Sequence, residues 1–208
     1  MGWFGFNGAS GAIAGDGQMK VVGMTLVNTT LSGSIAGIVV VFIQRVMTGK
    51  YLVGEMCNGI LAGLVAITAP CNNVSDWAAF VIGLVAAFVY IGATKALRIL
   101  KIDDAIGAFP VHGACGVWGV LAAGLFDLDA GGFYNVSGPN AFGVQCYGIL
   151  AIACWTMALT SVFLGIAKYF DILRVPANVE EEGIDRHYHD TEASEFGDGG
   201  MLAKLFKY

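Results

Sequence analysis

Of 208 residues, 56% are hydrophobic and 13% charged, with 30 glycines and four prolines, and the mean hydropathy is +0.69. Soluble domains carry about 25% charged residues, so this composition argues against a water-soluble globule, excludes disorder and collagen, and points to closely packed membrane helices. The net charge of −5 is concentrated in Leu173 to Tyr208, with eight Asp/Glu and four Lys/Arg, and no basic patch with interleaved aromatics is present, which excludes nucleic acid as a partner.

In chain order, Met1 to Ser10 is apolar and aromatic but too short to cross a bilayer, and it reads as the end of a helix that begins upstream. Met1 opens on Gly-Trp-Phe-Gly-Phe-Asn with neither a basic n-region nor a small-residue cleavage site, so no signal peptide is expected. Phe6 stands where a myristoylation motif wants Ser or Thr. Five apolar stretches then match the roughly 20 residues a bilayer demands: Val21–Ile43, Leu52–Ala69, Trp77–Leu97, Ala105–Phe126 and Phe142–Phe170. The expected fold class is therefore all-α, a polytopic transmembrane bundle over residues 1–172. An acidic tail follows over 173–208, ordered when it meets a partner.

The loops between these stretches alternate in charge. Arg45 and Lys50, then Lys95, Arg98 and Lys101, then Arg174 fall at one set of ends, whereas Pro70–Asp76 and Asp127–Ala141 contain no Lys or Arg. Short basic loops face the cytoplasm, which puts the tail inside and Asn7–Lys20 outside. Two Asn-x-Ser sequences, at Asn73 and Asn135, fall in the outside loops as possible glycan acceptors. The five cysteines show neither CxxC nor Cys/His spacing, so buried, apolar thiols are expected rather than disulfides or a metal site.

Few residues are equipped for chemistry. Small residues at four-residue spacing (Gly33 and Gly37, Gly59 and Gly63) and at three-residue spacing (Gly113, Gly116, Gly119) read as packing notches, not as a phosphate loop. His112 is the one histidine inside a span, and an ionisable group at bilayer depth marks function unless a neighbouring helix satisfies it as a neutral ring. Pro110 removes a helix hydrogen bond beside it, and Gly116 and Gly119 share its helix face and are expected to leave room above the ring. Asp103 and Asp104 precede that helix as N-terminal caps in preference to a catalytic pair. Glu55 and Asn58 are expected to satisfy one another's helix or a loop backbone, with a substrate role as the unsupported alternative. Trp3, Phe4 and Phe6 form either an interfacial aromatic belt or a mouth that holds a small cation on its ring faces. No nucleophile and base can be paired, so no catalytic residue, cofactor or metal is expected and the chain does not read as an enzyme.

Gly2-Trp3-Phe4-Gly5-Phe6-Asn7, then Asn58-Gly59-Ile60-Leu61-Ala62-Gly63-Leu64-Val65-Ala66-Ile67-Thr68, then Asp103-Asp104 leading to Phe109-Pro110-Val111-His112-Gly113 and Cys115-Gly116 resemble the ammonium transporter family in order and over nearly the whole chain. Leu173-Arg174-Val175-Pro176 with Glu182-Gly183-Ile184-Asp185 is similar to that family's cytoplasmic tail. The resemblance implies an eleven-helix, homotrimeric transporter in which ten helices form two inverted repeats around a pore in each subunit. Phe6 then corresponds to the phenylalanine gate, Ser10 and Trp3 to the outer recruitment region, and His112 to the second of two pore histidines.

This chain matches the end of the sixth helix and helices seven to eleven. The first pore histidine and the first repeat of the family precede the Gly2–Asn7 motif. Gly8-Ala9 stands where many relatives have Ala-Gly or Pro-Gly. His187 and His189-Asp190 replace the His-Gly and regulatory threonine of relatives, which weakens the expected contact with a cytoplasmic nitrogen regulator. The reading is a part of a plasma-membrane ammonium transporter serving nitrogen uptake, which does not conduct as 208 residues alone. The alternatives are an ammonium-sensing membrane protein and a non-conducting structural subunit.

Overall fold

A computed structural model describes residues 2–12, 18–135 and 141–183. Val136 and Ser137 of the second glycan motif lie outside the described residues, as do His187, His189 and Asp190 of the tail. Among the described residues, seven α-helices and one π-helical turn follow in order: α1 Gly2–Ala12, α2 Gln18–Thr48, α3 Val53–Thr68, α4 Asp76–Leu100, the π-turn Phe109–Ala114, α5 Cys115–Phe126, α6 Ala141–Tyr169 and α7 Ala177–Glu182. No strand occurs among the described residues. Met19–Thr48, Asp76–Leu100, Phe109–Phe126 and Ala141–Tyr169 are long and apolar enough to cross a membrane, so the chain is an all-α polytopic membrane bundle. The stretch expected over Leu52–Ala69 contains 16 helical residues, about 24 Å at the α-helical rise of roughly 1.5 Å per residue.

The chain divides into two compact units, Met1–Ile152 and Ala153–Tyr208. In the first, α2 packs against α1, α3 and α4, and α3 also meets α5 and the π-turn. The buried side chains joining these helices are mostly small: Ala36, Ala62, Ala66, Ala79, Ala86 and Ala122. Lipid tails are as apolar as the core, so hydrophobic transfer gives little drive between helices and close van der Waals fit must supply it. Ser32 shows how close the approach is. A Cβ on either Gly63 of α3 or Gly83 of α4 would stand 2.4 Å from the Ser32 carbonyl oxygen, while Ser32 Oγ donates to the Gly63 carbonyl at 2.7 Å.

A polar stripe runs along the buried side of α2: Thr25, Asn28, Thr29 and Ser32 are each fully buried, at i, i+3, i+4 and i+7. Asn7 Nδ2 donates to Thr29 Oγ1, joining α1 to α2. Asn28 Nδ2 donates to the carbonyls of Cys71 and Val74 at 3.0 and 2.9 Å, fixing the α3–α4 loop. That loop is tied onward, because Asn73 Nδ2 donates to the Asp127 and Asp129 carboxylates and Leu128 N–H donates to the Asn73 carbonyl. Asn73, expected as a possible glycan acceptor, thus uses its amide nitrogen to join two loops.

The helix expected from Ala105 begins later for two reasons. Pro110 has no N–H to donate to the Ile106 carbonyl, which instead accepts from Asn58 Nδ2 at 3.3 Å. The first free N–H groups, of Ala108 and Phe109, donate to the Asp104 carboxylate at 2.8 and 2.9 Å. Gly107, at φ +71°, turns the chain between these contacts.

The second unit holds the end of α6 and the short α7. Asp171, at φ +55°, ends α6, Ala167 and Val179 are buried, and Arg174 pairs with Glu180 on the surface. That hydrogen-bonded guanidinium holds the Glu180 carboxyl below its ordinary value.

Candidate functional site

Three groups of side chains lie along the first unit. The first is on α1. Trp3 Nε1 donates to Thr68 Oγ1 at 2.8 Å, and its ring meets Phe6 at 5.8 Å between centroids, tilted by 44°. Phe6 is 60% exposed. Ser10 Oγ donates to the Phe6 carbonyl at 2.7 Å, so the hydroxyl is turned back along its own helix. Positions 3, 6 and 10 share one helix face, and Phe6 and Ser10 border a cavity of about 260 Å³ with Thr68, Cys71 and Asn72. Phe4 faces a separate cavity of about 190 Å³ with Thr30, Ser34 and Leu64. Trp3 is therefore anchored to α3 by its indole N–H, which neither a free lipid belt nor a loose mouth requires.

The second group is the π-turn that carries His112. Here the Cys115 N–H reaches the carbonyl of Pro110, five residues back, and the ring of Phe109 folds over Gly113, where a Cβ would stand 2.7 Å from it. Single π-turns are frequent at functional sites in helices, and this one changes the register expected of a plain helix. Gly119 does not open space above the His112 ring. It lies against the Ala66 backbone of α3, where a Cβ would come within 2.5 Å of the carbonyl oxygen. Pro110 and Val111 point into the bundle and are buried, while Phe109 and His112 are exposed. Cys115 and Trp118 fix α5 to α4 through the carbonyls of Ala86 and Ile82.

The third group lies at the end carrying Arg45, Lys50, Lys95, Arg98 and Lys101, which we call the basic end. Glu55 Oε2 accepts from Gln44 Nε2 at 3.2 Å and from Tyr90 Oη at 2.9 Å, joining α2, α3 and α4. Glu55 and Tyr90 line a cavity of about 600 Å³ with Asn58, Arg98, Asp103 and Asp104. Asp104 caps the following turn through its carboxylate, whereas Asp103 is exposed on the cavity wall.

The structure thus gathers Trp3, Phe6 and Ser10 on α1, sets His112 on a turn packed against α3 and α4, and leaves Asp103 and Asp104 at the opposite end from Ser10. The Gln44–Glu55–Tyr90 network was not expected from sequence, which offers helix or loop backbone as the partner of Glu55 and a substrate role as the alternative. A glutamate in an apolar span was the available signal, but its partners lie 11 and 35 residues away.

Comparison with known proteins bears on this arrangement. Residues 1–194 match the model of the Ammonium Transporter Family. The chain is 37% identical to ammonium transporter 1 member 2 of Oryza sativa subsp. japonica, covering 98% of this chain and 47% of that protein. It is 36% identical to ammonium transporter 1 member 3 of the same organism, covering 90% and 42%. Among solved structures, Saccharomyces cerevisiae Mep2 superposes with a TM-score of 0.76 at 29% identity, over 85% of this chain and 41% of that one. A protein described as a sensor Amt protein superposes at 0.77 and 32% identity, over 90% and 46%. The chain spans less than half the length of each of these relatives.

Proposed function

Because this chain belongs to the Ammonium Transporter Family, we propose that it forms part of the wall of an ammonium and ammonia path across a membrane, within a longer or complemented protein. The observation that carries this reading is the exposure of His112 and Phe6 in a unit whose other interior positions are packed helix to helix. An exposed imidazole on an apolar span is costly against lipid, and a path closed by further helices removes that cost.

The chemistry follows from the residues. Ammonium and potassium are alike in size and charge, so a site that only binds cations separates them poorly. Apolar rings such as Phe6 strip water, which disfavours the charged form and favours deprotonation of ammonium to ammonia. Potassium has no proton to lose. The His112 imidazole, with one donor and one acceptor nitrogen when neutral, then hydrogen-bonds the passing ammonia or relays the proton. The Trp3 ring beside Phe6 offers a face to ammonium before that step. Asp104, Asn58 and Gly107 hold the turn that presents His112.

The basic end faces the cytoplasm on this reading, the membrane is the plasma membrane, and three copies assemble as a trimer with the tail open to a regulator. The test is ammonium uptake by transport-deficient cells that express the chain alone, or together with the amino-terminal helices of rice ammonium transporter 1 member 2. Uptake is expected only from the pair. Uptake by the 208 residues alone, or none from a pair shown to assemble, contradicts the reading. The likeness to a sensor Amt protein favours a second reading, ammonium binding without flux, which predicts saturable binding by the assembled pair and no uptake.

A further inference from the structure

The aromatic face of α1 is held from another helix. α1 packs along α2, where Asn7 donates to Thr29 and a Cβ on Gly8 would stand 3.2 Å from the Leu26 side chain. Neither contact fixes the rings of Trp3 and Phe6. Phe6 is 60% exposed, and the one ring it meets among the described residues is that of Trp3.

Thr68 of α3 supplies the fixing contact. An indole N–H can only donate. Thr68 Oγ1 donates its own proton to the Leu64 carbonyl at 2.7 Å, which leaves its lone pairs to accept from Trp3 Nε1 at 2.8 Å. The donors therefore run one way, from Trp3 through Thr68 to the α3 backbone, and turning either side chain breaks a bond. Trp3 lines the cavity of about 190 Å³ with Ile60 and Leu64, whereas Phe6 and Thr68 line that of about 260 Å³. Ile60, Leu64 and Thr68 follow at four-residue steps on one face of α3, so the Trp3–Thr68 bond falls where one cavity gives way to the next.

We propose that Thr68 is a positioning residue for this aromatic mouth: by holding the Trp3 indole it sets the tilt of Trp3 against Phe6, and with it how well the two rings separate ammonium from potassium. A cation is attracted over the face of a ring, and a ring free to swing admits the water that an apolar constriction must exclude. The effect on separation rests on the transport reading, whereas the hold on the rings does not.

The first measurement uses the full chain in lipid nanodiscs, with 15N-labelled tryptophan and 13C-labelled threonine methyls. The Trp3 indole and Thr68 methyl resonances are identified by their loss in Trp3→Phe and Thr68→Ser. In the wild-type chain a nuclear Overhauser contact is expected between them, and its absence overturns the proposal whether or not any variant folds. Thr68→Val keeps the side chain's shape but cannot accept, so it is expected to move the Trp3 indole proton upfield. The Trp118 indole, bonded to the Ile82 carbonyl, stays in place as a control for folding, and Thr68→Ser, which keeps the hydroxyl, restores the Trp3 position. The second measurement is ammonium uptake by cells expressing the chain with the amino-terminal helices of its rice relative, with and without excess potassium chloride. Potassium is expected to inhibit about two- to tenfold more strongly in Thr68→Val, the weight of one net hydrogen bond, and as in wild type in Thr68→Ser. That ratio does not depend on how much protein assembles, so a merely structural role leaves it unmoved. An unmoved Trp3 resonance or an unmoved ratio in Thr68→Val overturns the proposal. No uptake from the wild-type pair overturns the transport reading instead, and the resonances then decide the hold on the rings.

Discussion

His112 and Asn28 show how differently two polar residues in apolar spans are used. Asn28 is buried and donates twice to the α3–α4 loop, so Asn28→Ala should cost about 1–3 kcal/mol by stranding two buried carbonyls. The low end of that range is expected, because the unpartnered Asn28 Oδ1 leaves with the side chain. Chemical unfolding in detergent reads this loss. His112 is exposed, and replacing it should leave unfolding unchanged while altering flux. Both could be picked out as polar positions in apolar sequence, yet only geometry separates them, since the partners of Asn28 lie 43 and 46 residues away. On the surface, Arg174 holds Glu180 below its ordinary carboxyl value. The pair thus steadies α7 above the unfolded carboxylate pKa, and that support fades as pH falls through the lower folded value. Both side chains are exposed, so the effect is small. Arg174→Gln should return the Glu180 titration, followed by carboxyl 13C shift, toward the ordinary value; an unmoved midpoint contradicts the assignment.

Among the elements, the α2–α3–α4 packing and the π-turn carry the architecture. Gly33, Gly37, Gly59 and Gly63 were readable as notches from spacing alone, and each meets a side chain or backbone of the facing helix. Gly83 has no glycine at that spacing, only Ala79 and Ala87, and its close approach to α2 appears where it meets Ser32. Gly63→Ala forces a methyl against the Ser32 carbonyl and should destabilise the bundle by about 1–3 kcal/mol, seen as a lower midpoint of thermal unfolding. A midpoint equal to wild type would show that α2 and α3 can separate without cost. The π-turn was not readable. Pro110 signals a broken hydrogen bond, but the competing carbonyl partner, Asn58, comes from another helix. Gly107 sits at φ +71° with Asn58 Nδ2 3.2 Å from a Cβ position. Gly107→Ala should therefore cost about 1–2 kcal/mol from the left-handed backbone alone and loosen the turn. Faster amide exchange at Val111, which donates to the Gly107 carbonyl, checks it.

At the scale of the whole molecule, apolar runs and loop charges were enough to give the all-α membrane class, because bilayer thickness restricts what such runs can become. Which faces pack and which stay exposed was not legible, since nearly all faces of these helices are apolar and periodicity distinguishes little. The exposed positions include Phe6, Phe109 and His112, and the account stands or falls on whether these positions border an ammonium path. The most direct measurement is ammonium-evoked current in proteoliposomes holding the chain assembled with the amino-terminal helices of its rice relative, compared with the same assembly bearing His112→Ala. The account predicts a current that falls at least about tenfold in the variant, within the usual weight of a positioned proton-transfer group, with unfolding unchanged. An equal current from the variant would contradict a role for His112 in the path.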